Sequence, residues 1–247
     1  MSNIVSSIEA SPKPYARLGG FLYLIIIAAG FSSEFFFRGK LIVGGDPMAT
    51  ANNIMAAPDL WRIGIALEYI CIVCTIILAM IYYYLLRPVH KELNLLAAFF
   101  RMVSIPVQAI ALVYLIDALA PLTRKEYLDF YTADQLSIMA TLAIKSHSNG
   151  YSASLLILGF CFLIHGYLIF KSGFLPKALG VLILFAGAGY IMHCFSFILE
   201  PSFTKWTFPI MMLPVLAGEV SLSVWLLVKG VDVEKWKLEQ AKFFHKN

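Results

Sequence analysis

The chain has 247 residues, 60% of them hydrophobic and only 14% charged, with a formal net charge of +4. Soluble domains carry roughly 25% charged residues, and a mean hydropathy of +0.79 leaves too little polar surface to cover a water-facing globule. The composition excludes a soluble enzyme or binding module. Its mild positive charge, placed in loops and tail, speaks for membrane orientation and against a nucleic-acid partner.

About 20 apolar residues cross the ~30 Å hydrocarbon core as a helix. Backbone groups in lipid must pair within the segment, so each long apolar run is read as a helix. The opening stretch, MSNIVSSIEASPKPYARLGG, lacks the apolar core and cleavage site of a signal peptide, and the first apolar helix is expected to stay in the mature chain. That helix is predicted over about 17–38, followed by a loop of about twenty residues. The second runs over about 61–86, and the third over about 94–119, interrupted by Pro106 and stopped at Pro121. A half-polar helix over 133–149 precedes the fourth span, about 150–170. FKSGFLPKALG turns tightly into the fifth, about 177–199, and EPSFTKWTFP leads to the sixth, about 208–228. Residues 229–247 form a charged tail, whose lysines alternate with Trp236, Phe243 and Phe244 in a pattern suited either to a headgroup layer or to free solvation. The expected fold class is all-α: a polytopic bundle of six transmembrane helices in one membrane domain, 1–247.

Orientation follows from lysine and arginine. One side would hold Lys13, Arg17, Arg87, Lys91, Lys171, Lys177 and the tail lysines. The other would hold Arg38, Lys40, Arg62, Arg124, Lys125, Lys145 and Lys205 among several acids. The positive-inside rule then places both termini in the cytoplasm and the chain in the cell (inner or plasma) membrane. Cys71, Cys74, Cys161 and Cys194 all lie in apolar runs, so the C-x-x-C at 71–74 reads as small buried side chains.

Three stretches carry a resemblance when taken together: ARLGGFLYLIIIAAGFSSEFFFRGKLIVGGDP at 16–47, YYYLLRPVHKELNLLAAFFRM at 82–102 and HGYLIFKSGFLPKALGVLILFAGAGY at 165–190. With LLPVLAGEVSLSVWLLVKGV near the end, the chain resembles domain-of-unknown-function family 4386 over about residues 15–231. The resemblance implies a multi-pass, mainly bacterial membrane protein. It implies no activity and carries no catalytic residues.

Ionisable groups inside spans cost ~2.5–3.5 kcal/mol each on insertion scales, so each needs a partner or a purpose. An outer set comprises Glu34, Glu68, Asp117, His147 and His193. Glu34 and Arg38 are spaced i, i+4 and can pair, with Arg38 snorkelling outward. His147 continues the stripe Leu136, Met139, Ala140, Ala143, Ile144 and is expected to face protein. His193 follows Gly189 on one stripe, where glycine admits a close neighbour. His147, His193, Glu34 and Glu68 are the ligand types of a zinc site, although no H-x-x-x-H or H-E-x-x-H spacing supports it. An inner set comprises Arg101, His165 and Glu219, with Arg101 and Glu219 expected to form a buried ion pair. His147 and His165 are eighteen residues apart on one face. They could serve two haems only if each found a second axial ligand, and nothing obvious supplies the inner one.

Three functions stay open. The first is binding of a small apolar or lipid-like ligand in an outer-half pocket. The second is a metal-dependent lipid hydrolase or oxidoreductase using the His/Glu cluster. The third is a small proton-coupled transporter, for which no inverted repeat is visible. The lipid bilayer is the expected partner; nothing in the sequence specifies a cofactor or an oligomeric state.

Overall fold

The computed structural model describes residues 11–246. The first ten residues, part of the stretch read for a signal peptide, lie outside the described residues, as do the side chains of Phe244 and Lys246 in the tail. Among the described residues all regular structure is helical. Six helices are long and apolar enough to cross a membrane: Pro12–Arg38, Pro58–Leu86, Lys91–Thr123, Ala133–Lys171, Lys177–Leu199 and Thr204–Val228. In chain order, α1 is Pro12–Ser32, continued by a π-helical turn at Ser33–Arg38. There follow α2 Pro47–Ala56, α3 Pro58–Leu86, α4 Lys91–Thr123, the single turn α5 Lys125–Leu128 and α6 Ala133–Lys171. Then come α7 Lys177–Leu199, α8 Thr204–Val228 and α9 Val233–Lys246.

Four segments differ from the sequence expectation, each for a local reason. The loop after the first span contains α2. Asp46 caps it by accepting from Ala49 N at 2.9 Å, Pro47 stands in its first turn, and Thr50 Oγ1 donates back to Asp46 O at 2.9 Å. Pro121 does not stop α4: the helix continues through it to Thr123, and the proline falls in its last turn. The Thr123 hydroxyl there donates to Leu119 O at 2.9 Å. The half-polar stretch and the fourth span are one helix of 39 residues, about 58 Å at 1.5 Å per residue. It is far longer than a ~30 Å hydrocarbon core requires. The Asn149–Gly150 pair does not break it: a Cβ on Gly150 would lie 3.0 Å from Ala111 Cβ, so this glycine admits a neighbouring helix. The tail, finally, is a docked helix. Trp236 is buried, and its Nε1 donates to Leu85 O at 2.9 Å. Asp232 caps α9 through Lys235 N at 3.2 Å; that backbone bond is the chief cause holding its carboxyl below the usual aspartate value.

The chain forms two compact units. Among the described residues, one comprises 11–25, 74–105 and 154–246. Its α6 and α7 approach so closely that a Cβ on Gly166 would sit 2.7 Å from Leu184 N and 2.8 Å from Gly180 O. Gly159 and Gly187 repeat the arrangement one heptad along, with a Cβ on Gly187 meeting Gly159 O at 2.8 Å. In membranes, where burial of apolar surface drives little between helices, such backbone approach supplies the packing. The other unit comprises 26–73 and 106–153. Its anchor is Trp61, fully buried, whose Nε1 donates to Leu115 O at 2.8 Å across α3 and α4.

Candidate functional site

The second unit holds the densest group of charges inside the spans, and it is built on the π turn. In SEFFFR the chain makes i→i+5 pairings, so the carbonyl of Glu34 lies against Cα of Gly39. A Cβ at position 39 would collide with that carbonyl, which is why glycine closes the turn. Gly64 of α3 makes room opposite: a Cβ there would lie 3.1 Å from Arg38 Cβ, and Ser33 Oγ donates to Gly64 O at 2.9 Å.

The turn directs Arg38 inward. Its side chain is only 7% exposed, while Glu34 is 53% exposed. The expectation that Arg38 snorkels outward is thus reversed: the arginine is buried and the acid faces out. The π turn inserts about one residue, which rotates everything after it by roughly 100° relative to a continued α-helix. Arg38 Nη2 bonds Glu34 Oε2 at 2.7 Å and lies 3.7 Å from Glu68 Oε1, an ion pair too long for a hydrogen bond. Glu68 is 5% exposed, and Ser33 also reaches it. Arg38 Nε is buried with no hydrogen-bond partner among the described residues. One guanidinium therefore stands within 4 Å of two carboxylates, one exposed and one buried. Tyr151 lies within the electrostatic reach of Glu68 and Arg38. His147 is buried, as its stripe predicts, and its Nδ1 is 3.0 Å from Ala111 O. Exposed Phe31 and Phe35 stack at 4.3 Å beside Glu34, and Lys40 Nζ lies 5.8 Å from the Phe36 ring.

The first unit holds the inner set. Glu219 does not form the expected ion pair with Arg101: its Oε1 accepts from Tyr190 OH at 2.8 Å, Tyr23 also engages it, and Arg101 acts on it only at longer range. Two tyrosine hydroxyls satisfy the carboxylate, which removes the need for a contact cation. His165 Nδ1 faces Cys161 Sγ at 3.7 Å, and its ring meets Tyr82 edge-on at 5.3 Å. His193 is half-buried and pairs with Thr207 of α8 at 3.2 Å. Gly189 faces Met211 on the same helix, at 3.4 Å from an added Cβ. Asp117 is exposed. Among the described residues no three His, Cys, Asp or Glu side chains are grouped to hold a metal. The zinc reading of His147, His193, Glu34 and Glu68 thus has no geometric counterpart: each histidine is bonded within its own packing and Glu34 is bonded to Arg38.

A family model described as Domain of unknown function (DUF4386) matches residues 18–230. The chain belongs to the DUF4386 family. An uncharacterized protein of Archaeoglobus fulgidus is 30% identical over 167 residues, 66% of this chain and 80% of that protein. No solved structure matches the chain. The DUF4386 match and the six spans make this a multi-pass membrane protein, and the matched region contains every charged residue of both clusters, from Glu34 to Glu219. Sequence reasoning missed Tyr190 and Tyr23, two of twelve tyrosines that nothing in the DUF4386 chain marks out, and Ser33. The spacing of Gly39 after FFFR was the one available sign of the turn.

Proposed function

We propose that the protein is a proton-coupled membrane protein, in the class of small carriers, with Glu68 as its proton-binding group and Arg38 as the cation that exchanges between Glu68 and Glu34. The observation that carries this reading is one buried arginine within 4 Å of two carboxylates. With both acids ionised the group holds one excess negative charge inside an apolar span, and uptake of one proton balances it. Glu34 reaches the surface and Glu68 does not, so the guanidinium links an exposed acid to a buried one. Binding of a lipid-like ligand is the second reading. It is favoured by exposed Phe31, Phe35 and Phe36 around the exposed carboxylate, which suit an apolar chain with a cationic head. We further take the chain as one membrane domain in the cell membrane, with both termini cytoplasmic, on the lysine and arginine distribution.

Infrared difference spectra of the protein in lipid nanodiscs, taken across a pH step, test the proton site. A carboxylic-acid band should appear on acidification, vanish in Glu68→Gln and persist in Glu34→Gln. A band unaffected by Glu68→Gln would remove the reading.

A further inference from the structure

The first unit contains a cavity of about 10 Å³, lined on its polar side by Tyr23, Tyr82, Arg101, Cys161 and His165. It lies within the apolar spans, and its walls, which also include Leu78, Ala79 and Phe162, are mostly apolar, with a few polar groups reaching it. The Tyr82 hydroxyl is buried with no hydrogen-bond partner among the described residues. Among the described residues the guanidinium of Arg101 makes no ion pair, and the acid expected to meet it is held by Tyr190. His165 turns Nδ1 to Cys161, which leaves Nε2 as its remaining polar atom. An empty void would strand a hydroxyl in this place, and buried hydroxyls are rarely left unbonded.

We infer that the cavity is a hydration site for one ordered water, bonded by Arg101, the Tyr82 hydroxyl and His165. A water needs roughly 10–15 Å³ of such space and two to four polar partners, and the cavity provides both. The same volume excludes any larger ligand. The water accepts from the guanidinium and bonds to the hydroxyl and the imidazole, so each of these groups gains a partner. Tyr23 lines the cavity and also engages Glu219. The water thus lies beside the hydrogen-bonded group Tyr23, Glu219 and Tyr190. The inference does not depend on the proton site at Glu68.

Radiolytic footprinting of the full chain in lipid nanodiscs, in ¹⁸O-labelled water, tests it. Bound water generates hydroxyl radical in place, so Tyr82 should be modified well above the rate of buried Trp61, whose indole is satisfied by backbone. Tyr82 labelling no faster than Trp61 would overturn the inference. Tyr82→Phe gives a second, signed measurement on the same protein. Loss of a water-bonded hydroxyl lowers the melting temperature, whereas loss of an unpartnered one raises it or leaves it unchanged. A rise or no change would equally overturn the inference.

Discussion

Replacing Arg38 by methionine keeps most of the side-chain volume and removes the charge together with the guanidinium's hydrogen-bond donors. Glu68, 5% exposed, then has no cation within reach, because the only ion pair it makes among the described residues is with Arg38 at 3.7 Å. Stranding one member of a buried pair costs ~3–5 kcal/mol. At 1.4 kcal/mol per tenfold, the lower figure already shifts the unfolding equilibrium by about two orders of magnitude. Glu34→Gln removes the shorter contact, 2.7 Å, but from a carboxylate that is 53% exposed. Solvent screening holds that loss below ~1 kcal/mol. The longer ion pair is therefore the more consequential one, because burial and not distance sets the penalty.

Unfolding by SDS in mixed micelles, followed by tryptophan fluorescence, measures these differences. Arg38→Met should lose far more stability than Glu34→Gln. The double change Arg38→Met/Glu68→Leu should recover most of the loss, since apolar replacement of a whole buried pair is close to neutral. The single Arg38→Met variant should also recover partly at acid pH, where protonation discharges Glu68. The reasoning fails if Arg38→Met is no worse than Glu34→Gln, or if the double variant is as poor as the two single losses added together.

Gly166→Ala should destabilise the first unit by ~1–3 kcal/mol, because the new methyl meets backbone atoms of α7 that cannot swing aside. Gly44→Ala, with nothing within 4 Å, is the control and should fall within ~0.5 kcal/mol of the parent in the same SDS titration. Trp236→Ala should free α9, since truncating a buried tryptophan costs ~3–5 kcal/mol. Limited trypsin digestion should then cut at Lys235 and Lys237 faster than in the parent, and equal rates would contradict docking. If both termini are cytoplasmic, single cysteines at Asn53 and Asp129 in a cysteine-free background should react with an impermeant maleimide on intact cells; reaction only after permeabilisation would reverse the orientation.

The six long helices were legible because lipid imposes one rule, an unbroken apolar run of sufficient length, which needs no knowledge of neighbours. The helix ends were less so. Pro121 and Asn149–Gly150 are breakers by local preference, but their effect depends on where in the turn they fall and on what packs against them. The α2 cap is encoded in Asp46–Pro47, but a short helix in a connecting loop carries no hydropathy signal. For the candidate site, residue types were readable and partnerships were not. Sorting charges by depth suggested Arg101 with Glu219, yet depth says nothing of rotation about each helix, and Tyr190 has the matching rotation. The position of Arg38 failed for a related reason: an i, i+4 spacing was read on an α-helix, and the chain is wound more loosely there.

That looser turn ties the sequence to the chemistry. A π turn in an isolated helix is rare and lacks any local advantage, so its presence at Ser33–Arg38 must be supported by surroundings. Gly39 accepts the Glu34 carbonyl where any side chain would collide, Gly64 admits Arg38, and the Ser33 hydroxyl ties the turn to α3 through the Gly64 carbonyl. All of these features act to turn one arginine inward, against the cost of desolvating it. A purely structural Glu34–Arg38 pair would need none of them, since an ordinary α-helix already places residues i and i+4 on one face. What the turn adds is proximity of the guanidinium to Glu68. The second carboxylate is thus the feature that the local sequence SEFFFRG, with Gly64 opposite, accommodates, and it makes the group an arginine shared between two acids rather than a surface ion pair.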